Sequence, residues 1–202
     1  MADPHSTDRL VAEVTSGNVR AGARLISRIE HAGEGIVPVL QSLYRVGGRS
    51  RIIGVTGPPG AGKSTLIDKL IGHWRKRGLR VAVLAVDPSS PFSGGALLGD
   101  RLRMTAHSGD DGVFIRSMAS RGRTGGLAAA ARDALVVLDA MPWDVVLLET
   151  VGVGQNETEV MRHASVVVLV QTPMGGDDVQ AAKAGIMEIG DVLVVNKADH
   201  PD

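Results

Sequence analysis

The sequence predicts an α/β fold: a mostly parallel sheet sandwiched by helices, with a small helical extension at the N-terminus. Two observations predict it. From Arg51 onward, six short apolar runs alternate with stretches of helical spacing. The runs are continuous and β-branched, which suits strands buried on both faces under a helical cover. Such an alternation joins parallel strands by right-handed crossovers.

The elements follow in order. Residues 1–48 have helical spacing: Leu25, Ile26 and Ile29 share one face, and Val39, Leu40, Leu43 and Tyr44 share another. Gly33, Gly35 and Gly47–Gly48 punctuate them, and the extension is set at 1–48 with the main domain at 49–202. The strand candidates are 52–56, 81–86, a weaker run at 113–115, then 145–148, 166–170 and 192–195. Helical patterns lie between them at about 63–77, 126–141 and 179–189. In such folds ligands sit beyond the carboxyl ends of the strands, and the polar motifs fall there.

Bulk composition narrows the function. With 44% hydrophobic and 22% charged residues, the chain can bury a core. Its zero net charge argues against a general nucleic-acid or membrane-surface binder. Without cysteine it has no disulfide, thiolate zinc site or cysteine nucleophile. No apolar run approaches the ~20 residues that span a bilayer. The N-terminus has acid and proline where a signal peptide wants basic and apolar residues, so a cytoplasmic protein is expected.

The strongest motif is Gly57-Pro58-Pro59-Gly60-Ala61-Gly62-Lys63-Ser64-Thr65. It matches G-x-x-x-x-G-K-[ST] and sits between a strand candidate and a helical pattern, as a phosphate-binding P-loop must. Glycines let successive amides curl inward onto phosphate oxygens, and the helix beginning near Lys63 adds its positive end. Lys63 would place an ammonium on the β and γ phosphates, and Ser64 a hydroxyl on Mg²⁺. The bland alternative is a Gly/Pro turn before an ordinary helix.

Carboxylates follow the later strands. Asp87 ends the second run and could reach Mg²⁺, or simply form a turn before Pro88. Asp100 follows a Gly- and Ser-rich stretch; it could join the metal shell or cap a helix. Glu149 lies three residues before Gly152, in Glu149-Thr150-Val151-Gly152-Val153-Gly154-Gln155. That spacing lets the carboxylate approach the metal or attacking water while the Gly152 amide meets the γ-phosphate, as in a switch loop. Asn196-Lys197-Ala198-Asp199 fits the N-K-x-D pattern that reads guanine. Asp199 can accept from guanine N1–H and its exocyclic amine, a donor pair adenine lacks. Lys197 can pack its stem along the base.

Together these motifs, with Asp87-Pro88-Ser89-Ser90, Gly99-Asp100-Arg101 and Arg116-Ser117-Met118, resemble the MeaB/ArgK family. These are GTPases that accompany methylmalonyl-CoA mutase and related cobalamin-dependent mutases. The resemblance implies a P-loop NTPase fold of the SIMIBI type. It implies a Mg²⁺-dependent GTPase that couples GTP binding and hydrolysis to GDP with loading and protection of adenosylcobalamin on the mutase. It further implies that Ser64, Asp87, Asp100 and Glu149 surround Mg²⁺. The loop 171–183, with Asp177, Asp178 and Lys183, and the switch residue Gln155 would signal to the partner. Read from residues alone, Asp177-Asp178 is a solvated helix start. Arg116, Arg121 and Arg123 would contact phosphate or an acidic partner, or be solvated. Related proteins run on past residue 202, so the sequence is expected to be C-terminally truncated, with homodimerisation residing in the longer protein. A small-molecule kinase and a nickel-delivery GTPase are the alternatives. The first lacks an evident acceptor pocket and the second lacks Cys or His clusters.

Overall fold

The computed structural model describes residues 4–87, 107, 109–119, 126–150, 155–173 and 188–199. Three helices come first: α1 (Pro4–Thr15), α2 (Val19–Glu30) and α3 (Ile36–Val46). Then follow β1 (Arg51–Thr56), α4 (Lys63–Arg75), β2 (Val81–Asp87), β3 (Val113–Ala119) and α5 (Gly126–Ala140). The described chain ends with β4 (Val145–Thr150), α6 (Gln155–Met161), β5 (Val166–Gln171) and β6 (Val192–Val195). The strands form one sheet in the order β3-β2-β4-β1-β5-β6, and every pair is parallel. The fold expected from the apolar runs is therefore present.

Alternation along each strand divides the core between two faces. Val55, Val81, Val83, Val145 and Leu147 meet Ile67 and Ile71 of α4 on one side. Ala82, Leu84, Val86, Val146 and Leu148 face the other side and join a cluster with Ala131, Leu135 and Leu138 of α5. Leu25, Ile26 and Ile29 of α2, and Val39 and Leu43 of α3, belong to that same cluster. The N-terminal helices thus form an extra layer over α5 and share a core with the sheet. Asn18 caps α2, its side chain accepting from the Ala21 amide at 3.1 Å. The connection from α3 to β1 is fixed by Asp139 at the end of α5, which accepts from the Ser50 amide at 3.0 Å. Ser50 Oγ donates to the Trp143 carbonyl at 2.9 Å.

Two burial expectations need correction. Tyr44 does not share the buried face of α3: it is 77% exposed. The inward stripe is Ile36, Val39 and Leu43, and Tyr44 lies about 100° around the helix from Leu43. Nor is the last run buried on both faces. Among the described residues β6 is an edge strand, paired with β5, and Val192, Leu193 and Val195 are exposed. The weak run at 113–115 extends further than expected, to Ala119, because β3 pairs with β2 along its whole length.

Beside the amino end of β3, Arg75 Nε and Nη2 grip the Asp110 carboxylate, both at 2.8 Å. The Arg75 guanidinium, followed by the Gly112 amide, holds the Asp110 carboxyl below its ordinary value. A depressed carboxyl stabilises the fold above its unfolded-state value, about 3.9, and loses that contribution as pH falls through the lower native value. Asp110→Asn is therefore expected to melt lower than wild type at neutral pH. The gap should close as pH drops below about 4, as read from melting curves across the acid range.

Candidate functional site

β1 ends at Thr56 and α4 begins at Lys63, so residues 57–62 reverse the chain at the carboxyl edge of the sheet. Two glycines make that turn possible. Gly57 has φ +145°, and a Cβ there would lie 2.1 Å from the Val170 carbonyl oxygen of β5. Gly62 has φ +93°, and a Cβ there would lie 2.2 Å from Asn196 Nδ2. Gly57→Ala forces a positive φ and a backbone clash together, a cost of about 3 kcal/mol or more. For a chain of this size that lowers the melting temperature by roughly 6–12 °C, measurable by circular dichroism.

Lys63 is buried, and its Nζ donates to the carbonyls of Gly57 (2.9 Å) and Pro58 (3.0 Å). The ammonium therefore lies against its own loop. Ser64 Oγ donates to Glu149 Oε1 at 2.7 Å, and Glu149 is buried. Glu149 reaches that position through sheet alternation: it stands in register with Val55 and Ala85, on the α4 face. The hydroxyl and carboxylate give adjacent oxygen donors, the chemistry Mg²⁺ prefers, so the described residues fit that ion.

The end of β6 returns to the same loop. The Asn196 amide donates to the Gln171 carbonyl at 2.8 Å, and its side-chain Nδ2 donates to the Ala61 carbonyl at 2.8 Å. Lys197 adopts a left-handed conformation (φ +57°), and Lys197 and Asp199 are exposed beside it. The structure thus brings together residues 57–64, Glu149 and Asn196, while Pro59 and Thr65 lie on the exposed side of the loop and helix. Asp87 closes β2 opposite Ala119, and Gln155 opens α6. The Asp87 carboxylate, the Gln155 side chain, Asp100, Gly152, Asp177, Asp178, Lys183, Arg121 and Arg123 lie outside the described residues.

Arg116 is placed where neither sequence reading put it. It pairs with Glu30 and donates to Ser27 Oγ at 3.0 Å, tying β3 to α2. Sequence reasoning also missed a buried pair near the site. Thr150 Oγ1 donates to Thr56 Oγ1 at 3.0 Å, both residues fully buried. The signal was slight: each is the polar last residue of its strand.

A parallel sheet with a glycine loop, a helix-opening lysine and a serine–carboxylate contact at its carboxyl edge defines a P-loop NTPase. A family model described as methylmalonyl Co-A mutase-associated GTPase MeaB matches residues 23–202. The chain belongs to that family. A protein of Pyrococcus abyssi with a provisional GTPase name is 57% identical over 192 residues, covering 95% of this chain and 59% of that protein. GTPase ArgK of Escherichia coli is 45% identical over 161 residues, covering 80% of this chain and 49% of that protein. The crystal structure of a LAO/AO transport system kinase superposes with a TM-score of 0.76 at 29% identity, covering 100% of this chain and 60% of that one. The chain thus spans 59% and 49% of the length of these two curated relatives.

Proposed function

We propose that the chain is the nucleotide-binding part of a Mg²⁺-dependent GTPase that serves a cobalamin-dependent mutase. One observation carries the GTPase reading: Asn196 Nδ2 bonds the Ala61 carbonyl. That contact joins the segment proposed to read the base to the loop proposed to hold phosphate, which supports one nucleotide engaging both. The GTPase names of relatives and family support the same reading.

On this reading Lys63 exchanges the Gly57 and Pro58 carbonyls for β- and γ-phosphate oxygens. The inward amides of residues 57–65 hold the rest of the triphosphate. Ser64, Glu149, Asp87 and Asp100 would hold Mg²⁺, and the ion would supply charge neutralisation of the triphosphate. Glu149 also orients water for attack on the γ-phosphorus. The bond to the β–γ bridging oxygen breaks, leaving GDP and phosphate. The Gly152 amide senses the γ-phosphate. Lys197 and Asp199 hold guanine.

The family description names methylmalonyl-CoA mutase as the associated enzyme, and that supports a mutase as partner. Gln155, Asp177, Asp178 and Lys183 would pass the nucleotide state to it, so that hydrolysis accompanies adenosylcobalamin loading and protection. Homodimerisation is assigned to the longer protein. The test is phosphate release from GTP and from ATP with Mg²⁺, repeated with an adenosylcobalamin-dependent mutase present. GTP-selective release supports the GTPase, and acceleration by the mutase supports the partnership. Equal rates with and without mutase would sink the partnership alone.

A further inference from the structure

We infer that Thr150 is a positioning residue for hydrolysis, acting through its buried hydroxyl bridge to Thr56. The inference rests on the GTPase reading above and deepens it. Thr56 is the last residue of β1 and immediately precedes Gly57. Thr150 is the last residue of β4 and immediately follows Glu149. β1 and β4 are in register up to Val55 and Glu149, so the two threonines stand side by side one residue further on. Their hydroxyls meet at 3.0 Å with neither residue exposed.

Sheet alternation gives the bridge its place. Val55 and Glu149 face α4, where Glu149 meets Ser64. Thr150 stands in register with Val86, whose side chain joins the core on the α5 face. The bridge therefore ties the two strand ends from behind, on the face opposite the carboxylate. A side-chain bond at that last position fixes the lateral offset between β1, which launches the phosphate loop, and β4, which carries Glu149. Shifting that offset would lengthen the Ser64–Glu149 contact without altering any group that touches the nucleotide. A shift of this kind changes hydrolysis and the metal requirement more than nucleotide affinity.

The test compares Thr150→Val, which keeps shape and removes the hydroxyl, with Thr150→Ser and with Thr56→Val/Thr150→Val. The single valine removes the Thr150 hydroxyl that meets Thr56 in a buried place. The double variant removes both hydroxyls and separates function from folding, because paired removal is far milder for stability. Each protein is assayed about 20 °C below its own melting temperature. We expect kcat for GTP to fall about 10-fold in both valine variants, with KM within about 2-fold and half-maximal Mg²⁺ raised about 5-fold. Thr150→Ser should recover at least half the rate. A double variant with wild-type kcat and wild-type Mg²⁺ dependence would overturn the inference alone. Wild-type chain that neither binds nor hydrolyses GTP would overturn the GTPase reading instead.

Discussion

Lys63→Ala is expected to lower GTP turnover on the order of 10²–10³-fold, the usual loss when one preorganised charge-stabilising donor is removed. Lys63 is 6% exposed, and its ammonium lies across the loop on the Gly57 and Pro58 carbonyls. It is thus held beside the place where triphosphate charge would develop, screened from water. In such surroundings a positive charge acts far more strongly than on the surface. The fold itself should survive. Lys63 contributes no side chain to either apolar cluster, and Ile67 and Ile71 still seat α4 on the sheet. The measurement is kcat at saturating GTP beside a melting curve. A folded variant turning over GTP at the wild-type rate would remove the phosphate cradle from consideration.

Asp199→Ala is expected to weaken GTP by about 10²–10⁴-fold while leaving ATP binding unchanged. The carboxylate would accept two hydrogen bonds from guanine, and each bond to a charged acceptor is worth about 1.5–3 kcal/mol. Asp199 is exposed, in the turn after β6, so its loss leaves packing intact. The neighbouring Asn196 stays in place through Gln171 and Ala61, which keeps the phosphate loop out of the comparison. Competition between GTP and ATP for the same labelled nucleotide reads the change directly. A variant that kept its GTP preference would show that guanine is selected elsewhere.

Much of this architecture was legible in the residues. Continuous apolar runs located all six strands; in β2 and β4, covered on both faces, no polar side is left to show. The phosphate loop was legible because its glycines, lysine and serine each answer a separate physical demand. What escaped was set by tertiary position. That Val192 to Val195 lie at an edge depends on strand order, which no local pattern encodes. Tyr44 and Leu43 are adjacent apolar residues, and only the docking of α3 on α5 decides which one turns inward. Arg116 looked like a member of a basic loop, yet its partners Glu30 and Ser27 lie more than eighty residues earlier. The Thr56–Thr150 bridge was hidden for the same reason: 94 residues separate two hydroxyls that adjacent strand ends bring together.

The strand order β3-β2-β4-β1-β5-β6 also governs how the molecule can be made. β1 and β2, though consecutive, never touch as ladder partners, since β4 lies between them. A ribosome that has delivered residue 87 must still deliver the segment through residue 150 before either strand finds that neighbour. At ordinary synthesis speeds the wait is about 3–13 s. β4 is thus the keystone whose arrival gives β1 and β2 their shared neighbour.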